Sequence, residues 1–136
     1  MSTLAQTVER AILLDAEPRE VWEAITDEAL LSEWLADRVE LEPRQGGGVR
    51  CRYADGEERR GEVELVEEAE RLAFHWRRQG GGPSRVEFIV DAVAEGTRLR
   101  VIETGLAEPT APTTLAAGWG PRLSSLRLLL GRLVLA

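Results

Sequence analysis

Through its middle the chain alternates between dry and wet positions, in short runs cut by glycines. In Gly61-Glu62-Val63-Glu64-Leu65 the even positions are charged and the odd ones apolar or glycine. In Leu72-Ala73-Phe74-His75-Trp76-Arg77 the large apolar residues fall on even positions. Val86, Phe88 and Val90 alternate with Arg85, Glu87 and Asp91, with Ile89 out of step, and Leu99 and Val101 alternate with Arg98 and Arg100. A period of two with one apolar and one polar face is the pattern of a half-buried antiparallel strand. It predicts strands at 37–42, 48–53, 59–67, 70–79, 84–94 and 97–105, joined as a curved meander. Ala54-Asp55-Gly56-Glu57 and Ala94-Glu95-Gly96-Thr97 supply hairpin turns in which glycine can take positive φ. Thr7 to Leu14 reads as a first strand with two open phases. Either Val8, Ile12 and Leu14 share a face with Arg10, or Ala11 and Leu13 turn inward after a bulge.

Two other segments change period. After Asp15-Ala16-Glu17-Pro18, Val21, Trp22 and Ile25 mark a short amphipathic helix, and Asp27 can cap a second with Leu30, Leu31 and Trp34 on its apolar side. Beyond Pro109 and Pro112, Trp119, Leu123, Leu126, Leu130 and Leu133 recur every three or four residues, as one stripe of a long C-terminal helix. So apolar a stripe needs a sheet to cover it. The α+β expectation is therefore β-α-α-β6-α, a curved antiparallel sheet wrapped around the last helix. Leu128 and Leu135 fall on the far side of that helix, either as ordinary exposed leucines or as a second contact surface for a homodimer.

Length and charge narrow the partners. The chain has 136 residues with no evident linker, so a single domain over 1–136 is expected. With 24 acidic and 17 basic residues the formal charge is -7, and the arginines are scattered among acids rather than gathered in a track. That argues against nucleic acid and anionic membranes. A single cysteine, Cys51, rules out an internal disulfide. No apolar run is long enough for membrane insertion and no leader-like series opens the chain, so a soluble cytoplasmic protein is expected.

Candidate chemistry is sparse. His75 points outward by alternation, has no second histidine, and lies far in sequence from Cys51, so neither a metal nor any other cofactor is expected. The run Gly46-Gly47-Gly48 lacks the lysine and the strand-to-helix setting of a phosphate loop and reads as a turn. Two charged residues break the dry face. Glu103 shares parity with Thr97, Leu99 and Val101, and Arg10 is its counterpart in the first strand. If those strands pair, the two would meet as a rim salt bridge, a polar anchor for a ligand, or an acid-base pair. Trp34, Trp76 and Trp119 come from elements that border one interior, where they would serve either as core or as the wall of an apolar pocket.

Several stretches together resemble a known family. They are Pro18-Arg19-Glu20-Val21-Trp22-Glu23-Ala24-Ile25-Thr26-Asp27 with Leu31 and Trp34, GGGVRCRYADG (46–56), GEVELVEEAERLAFHWR (61–77), SRVEFIV (84–90), GTRLRVIETGL (96–106) and GWGPRLSSL (118–126). In this order they are similar to the helix-grip, START-like or SRPBCC superfamily, and within it to the family named after the activator of the heat-shock-protein-90 ATPase. The resemblance implies the same fold, enclosing a hydrophobic cavity that in other members binds lipids, hormones or polyketides or supports cyclase chemistry. No cyclase-like residue set maps onto this chain. The expected chain length leaves no room for the separate chaperone-binding domain of the eukaryotic co-chaperones, so ATPase activation is expected to be a family label here. The leading expectation is a binding module for a small apolar or amphipathic ligand, lined by Trp34, Tyr53, Phe74, Trp76, Phe88, Trp119 and Leu123, with Arg10 and Glu103 as polar candidates. The alternatives are an interaction or co-chaperone-like module with a packed core, and a cavity enzyme.

Overall fold

A computed structural model describes residues 7–105 and 112–135, with side chains described for 7–105 and 119–131. In chain order the elements are β1 (Thr7–Leu14), α1 (Pro18–Thr26), α2 (Glu28–Trp34), β2 (Arg38–Leu41), β3 (Gly48–Arg52), β4 (Glu58–Glu67), β5 (Arg71–Arg78), β6 (Pro83–Val93), β7 (Gly96–Gly105) and α3 (Pro112–Leu135). The seven strands form one antiparallel sheet in the order β1-β7-β6-β5-β4-β3-β2. This is the α+β helix-grip arrangement: the sheet curves around α3, and the two short helices are inserted between β1 and β2.

The first strand takes the first of its two phases. Its register with β7 is unbroken from Thr7↔Thr104 to Leu14↔Thr97, with Val8 and Leu14 buried and Leu13 exposed. After it the chain turns sharply, with β7 packed against the turn. Gly96 has φ +141°, and a Cβ there would lie 2.3 Å from the Leu14 carbonyl oxygen. Next to it, the Thr97 hydroxyl donates to the Ala16 carbonyl at 2.7 Å. The helices start where their caps allow. The Glu20 side chain accepts from the Glu17 amide at 3.0 Å, and Asp27 Oδ1 accepts from the Leu30 amide at 3.0 Å. Val21, Ala24 and Ile25 are fully buried, and the Trp34 indole N–H donates to the Ala24 carbonyl at 2.9 Å, tying α2 to α1.

On α3 the buried positions are Trp119, Leu123, Leu126 and Leu130, joined by Leu129, while Leu128 is 70 % exposed. Leu133 and Leu135 lie outside the residues whose side chains are described. One sheet assignment changes. Strict alternation puts Leu65 on the inner face with Val63, but a bulge at Glu64 shifts the register, so that Val63 pairs with Phe74 and Leu65 with Ala73. The extra residue reverses the phase of the strand. Val66, opposite the buried Leu72, takes the inward place and packs against the core.

Candidate functional site

The concave face is built from the inward positions of the central strands. Phe74 and Trp76 on β5 and Phe88 on β6 meet Trp34 of α2 and Trp119 of α3. Their ring centroids lie 5.3 Å apart for Phe74–Trp76, 5.9 Å for Phe74–Phe88, 5.9 Å for Trp34–Phe88 and 5.8 Å for Phe88–Trp119. Trp76 and Trp119 stack at 6.3 Å with 21° between their planes. All five rings are buried, with Leu123 beside them in the same cluster. Gly61 faces Trp76 across the β4–β5 pair, and a Cβ there would fall 1.7 Å from the His75 carbonyl oxygen. Any side chain at that position would push the two strands apart next to the indole.

Glu103 enters this interior and is only 2 % exposed. Its Oε2 accepts from the Ser84 hydroxyl at 2.6 Å and from the Trp76 indole N–H at 3.0 Å, and its Oε1 accepts from the Trp119 indole N–H at 2.8 Å. A buried carboxyl is tolerated when donors surround it. Here they come from β5, β6 and α3, so one side chain on β7 fastens the helix to the sheet. Arg10 is not among its partners. It pairs with Val101, its guanidinium is exposed, and it donates to the Glu9 carbonyl at 3.0 Å. The physical reason is its place on an edge strand, where a long side chain keeps its charge in water, while Glu103 is already supplied with donors from the other side.

The polar groups that do gather at the border of the interior are Tyr53, Arg59 and Arg122. Arg59 lies on the inward parity of β4, and its guanidinium sits 4.6 Å from the Trp76 ring centroid and 5.7 Å from that of Tyr53. Arg122, one turn into the stripe from Trp119, lies 5.0 Å from the Trp119 ring, 5.6 Å from Trp76 and 5.6 Å from Tyr53. It also donates to the Tyr53 hydroxyl at 2.8 Å. Burial pushes the Tyr53 phenol above its ordinary range, against the pull of both arginines. Burial likewise raises the Cys51 thiol to about 12, with Arg122 and Arg59 opposing. A thiol held so firmly protonated is a poor nucleophile.

Of the residues singled out in the sequence, Trp34, Phe74, Trp76, Phe88, Trp119, Leu123 and Glu103 are thus brought together, Tyr53 stands at their edge, and Arg10 is elsewhere. Ser84, Arg59 and Arg122 were missed. The rule that exposed Glu103 would have marked two of them, since Ser84 shares parity with Val86 and Phe88, and Arg59 with Gly61 and Val63. His75 is on the outer face, its Nδ1 3.2 Å from Glu64 Oε2. Open grooves also occur away from the helix-sheet interior. One of about 440 Å³ is bordered by Glu58, Arg60, Arg77, Arg78, Gln79 and Gly80, and one of about 250 Å³ lies between Trp22, Thr26, Pro43, Val66 and Glu68.

The family model described as "Activator of Hsp90 ATPase homolog 1-like protein" matches residues 15–131. No curated protein matches the chain. Among solved structures, DynU16 from the dynemicin biosynthetic locus is similar over 92 % of this chain, at 29 % identity and a TM-score of 0.84. The match covers 47 % of DynU16, so this chain spans about half its length. Protein MLL2253 from Mesorhizobium loti is similar over 93 % of this chain and 98 % of its own, at 25 % identity and a TM-score of 0.84. CalU16 from Micromonospora echinospora has the same fold, at 23 % identity over 93 % of this chain and 75 % of its own, with a TM-score of 0.73.

Proposed function

This chain belongs to the family of activator of Hsp90 ATPase homolog 1-like proteins, and from that premise we propose that it is a binding module for a small apolar or amphipathic molecule, taken up between the sheet and α3. The observation that carries this reading is the convergence of Tyr53, Arg59 and Arg122 at the border of an aromatic interior. Binding sites for small organic molecules combine apolar walls with a few polar groups that fix orientation. The aromatic surface would supply about 25 cal/mol per Å² of ligand area removed from water. The origin of the similar DynU16 in a biosynthetic locus supports a role in handling a small organic molecule.

A second reading is favoured by the rings themselves. They touch one another and are at most 5 % exposed, which suits an interaction module with a packed core. An enzyme is the weaker fit, because Glu103 is engaged by three donors and Cys51 is held as a thiol.

Leu123→Trp separates the first two readings. It adds a ring at the helix-sheet contact and removes no polar group. The binding module predicts that the wild type takes up a neutral, environment-sensitive apolar dye and that the folded variant does not. Unchanged dye affinity in the folded variant would move the site away from α3, and no uptake by the wild type would favour the packed module.

A further inference from the structure

The arginines of this protein are nearly all spoken for wherever they leave the open surface. Among the described residues, the half-buried Arg50, Arg59, Arg71, Arg85 and Arg100 each have a carboxylate within 4.0 Å. Arg122 is also half-buried, yet no described carboxylate reaches it, and its hydrogen bond goes to the neutral oxygen of Tyr53. In a chain with a formal charge of -7 this is a conspicuous exception. A partly desolvated guanidinium without a counter-charge is costly to keep, and three aromatic faces offset only part of that cost. A second guanidinium, that of Arg59, shares the Trp76 ring with it. Like charges on one ring repel, so the pair is suited to an anion placed between them.

We infer that Arg122, Arg59 and Tyr53 form a carboxylate-recognition site at the border of the aromatic interior, and that the molecule taken up is an amphipathic acid; this rests on the binding-module reading above. The charge count selects the head group. Arg59 is already partly neutralised by Glu57 at 3.1 Å, which leaves close to one unit of positive charge. That matches one carboxylate better than a doubly charged phosphate. The donor geometry agrees. A guanidinium presents a planar fork to a carboxylate. The Tyr53 oxygen accepts from Arg122, so its own O–H is left to donate to the anion. Glu103, which would repel the acid, is turned to Ser84, Trp76 and Trp119 and is outside ion-pair distance of both arginines. The body of the ligand then lies toward Trp76 and Trp119, in line with the head group above them.

The test uses naphthoate and naphthalenemethanol, two probes with the same ring body and a charged or neutral head, titrated by tryptophan fluorescence. The expected result is that wild type prefers naphthoate by roughly ten-fold or more, the usual scale of a charge-assisted hydrogen-bonded pair. Arg122→Gln should bring the two probes to within about two-fold of each other, by weakening naphthoate binding alone, and Tyr53→Phe should reduce the preference part of the way. Added salt should weaken naphthoate but not naphthalenemethanol in the wild type, a readout that does not depend on a variant folding. Equal affinity of wild type for the two probes, or a preference that survives in folded Arg122→Gln, would overturn the carboxylate site and leave the binding module standing. Failure of wild type to bind either probe would overturn both.

Discussion

Glu103 joins two indoles and a hydroxyl inside the sheet: the Trp119 indole N–H and the Ser84 hydroxyl donate to it, and the Trp76 indole N–H is shared between it and the Ser84 oxygen. Glutamine would keep the shape but replace one accepting oxygen with a donor, so one N–H or O–H would be left facing another donor. Glu103→Gln should therefore lower stability by about 1–3 kcal/mol in urea unfolding; a loss near zero would mean that the carboxyl is not what fastens α3. Cys51 makes a second residue-scale case. The thiol ionises at 9.0 when free and at about 12 in the fold. Its contribution is complete below pH 9 and is lost as pH rises toward 12, because the unfolded chain releases the proton first. Wild type should thus lose stability above pH 9 more steeply than Cys51→Ala, and parallel profiles would contradict the burial argument. At this scale the sequence was half legible. Parity identified Glu103 as an intruder but could not choose its partners, since Arg10 on the edge strand has the same parity and the opposite fate. Arg122 was invisible to alternation because it sits on a helix, next to Leu123 and three residues after Trp119.

The elements were read more easily than the residues. Glycine turns and period-two runs locate every strand to within a residue or two, as for 59–67 against Glu58–Glu67 and 97–105 against Gly96–Gly105. What escaped was the bulge at Glu64, because Gly61 to Leu65 alternates in perfect order on paper while the backbone carries one residue more than its partner. Alternation in one strand cannot report the count in its neighbour. The helix stripe was legible for the opposite reason: its spacing refers only to itself. Leu126, fully buried at the centre of that stripe, should cost roughly 2–5 kcal/mol as Leu126→Ala. A much smaller loss in thermal or urea unfolding would show that α3 borders open space at this point.

For the whole molecule, the same order of elements gives a sheet that grips a helix, and the far side of that helix remains available. Leu128 is 70 % exposed there, and its neighbour Arg127 donates to the Leu13 carbonyl of β1 at 3.0 Å. Pairing of two copies through this face predicts a dimer in sedimentation equilibrium at tens of micromolar protein, and a monomer there would remove the idea. No helix among the described residues is long and apolar enough to cross a membrane. The fold was readable from the full set of elements in order, whereas the content of the interior was not, because the same buried rings serve a packed core and a lined pocket. Native mass spectrometry of the protein purified from its own organism addresses that difference most directly. The binding-module account predicts a population heavier than the polypeptide by the mass of one small organic acid, released on denaturation. A spectrum of bare polypeptide alone, from protein that also takes up neither the apolar dye nor naphthoate, would contradict it.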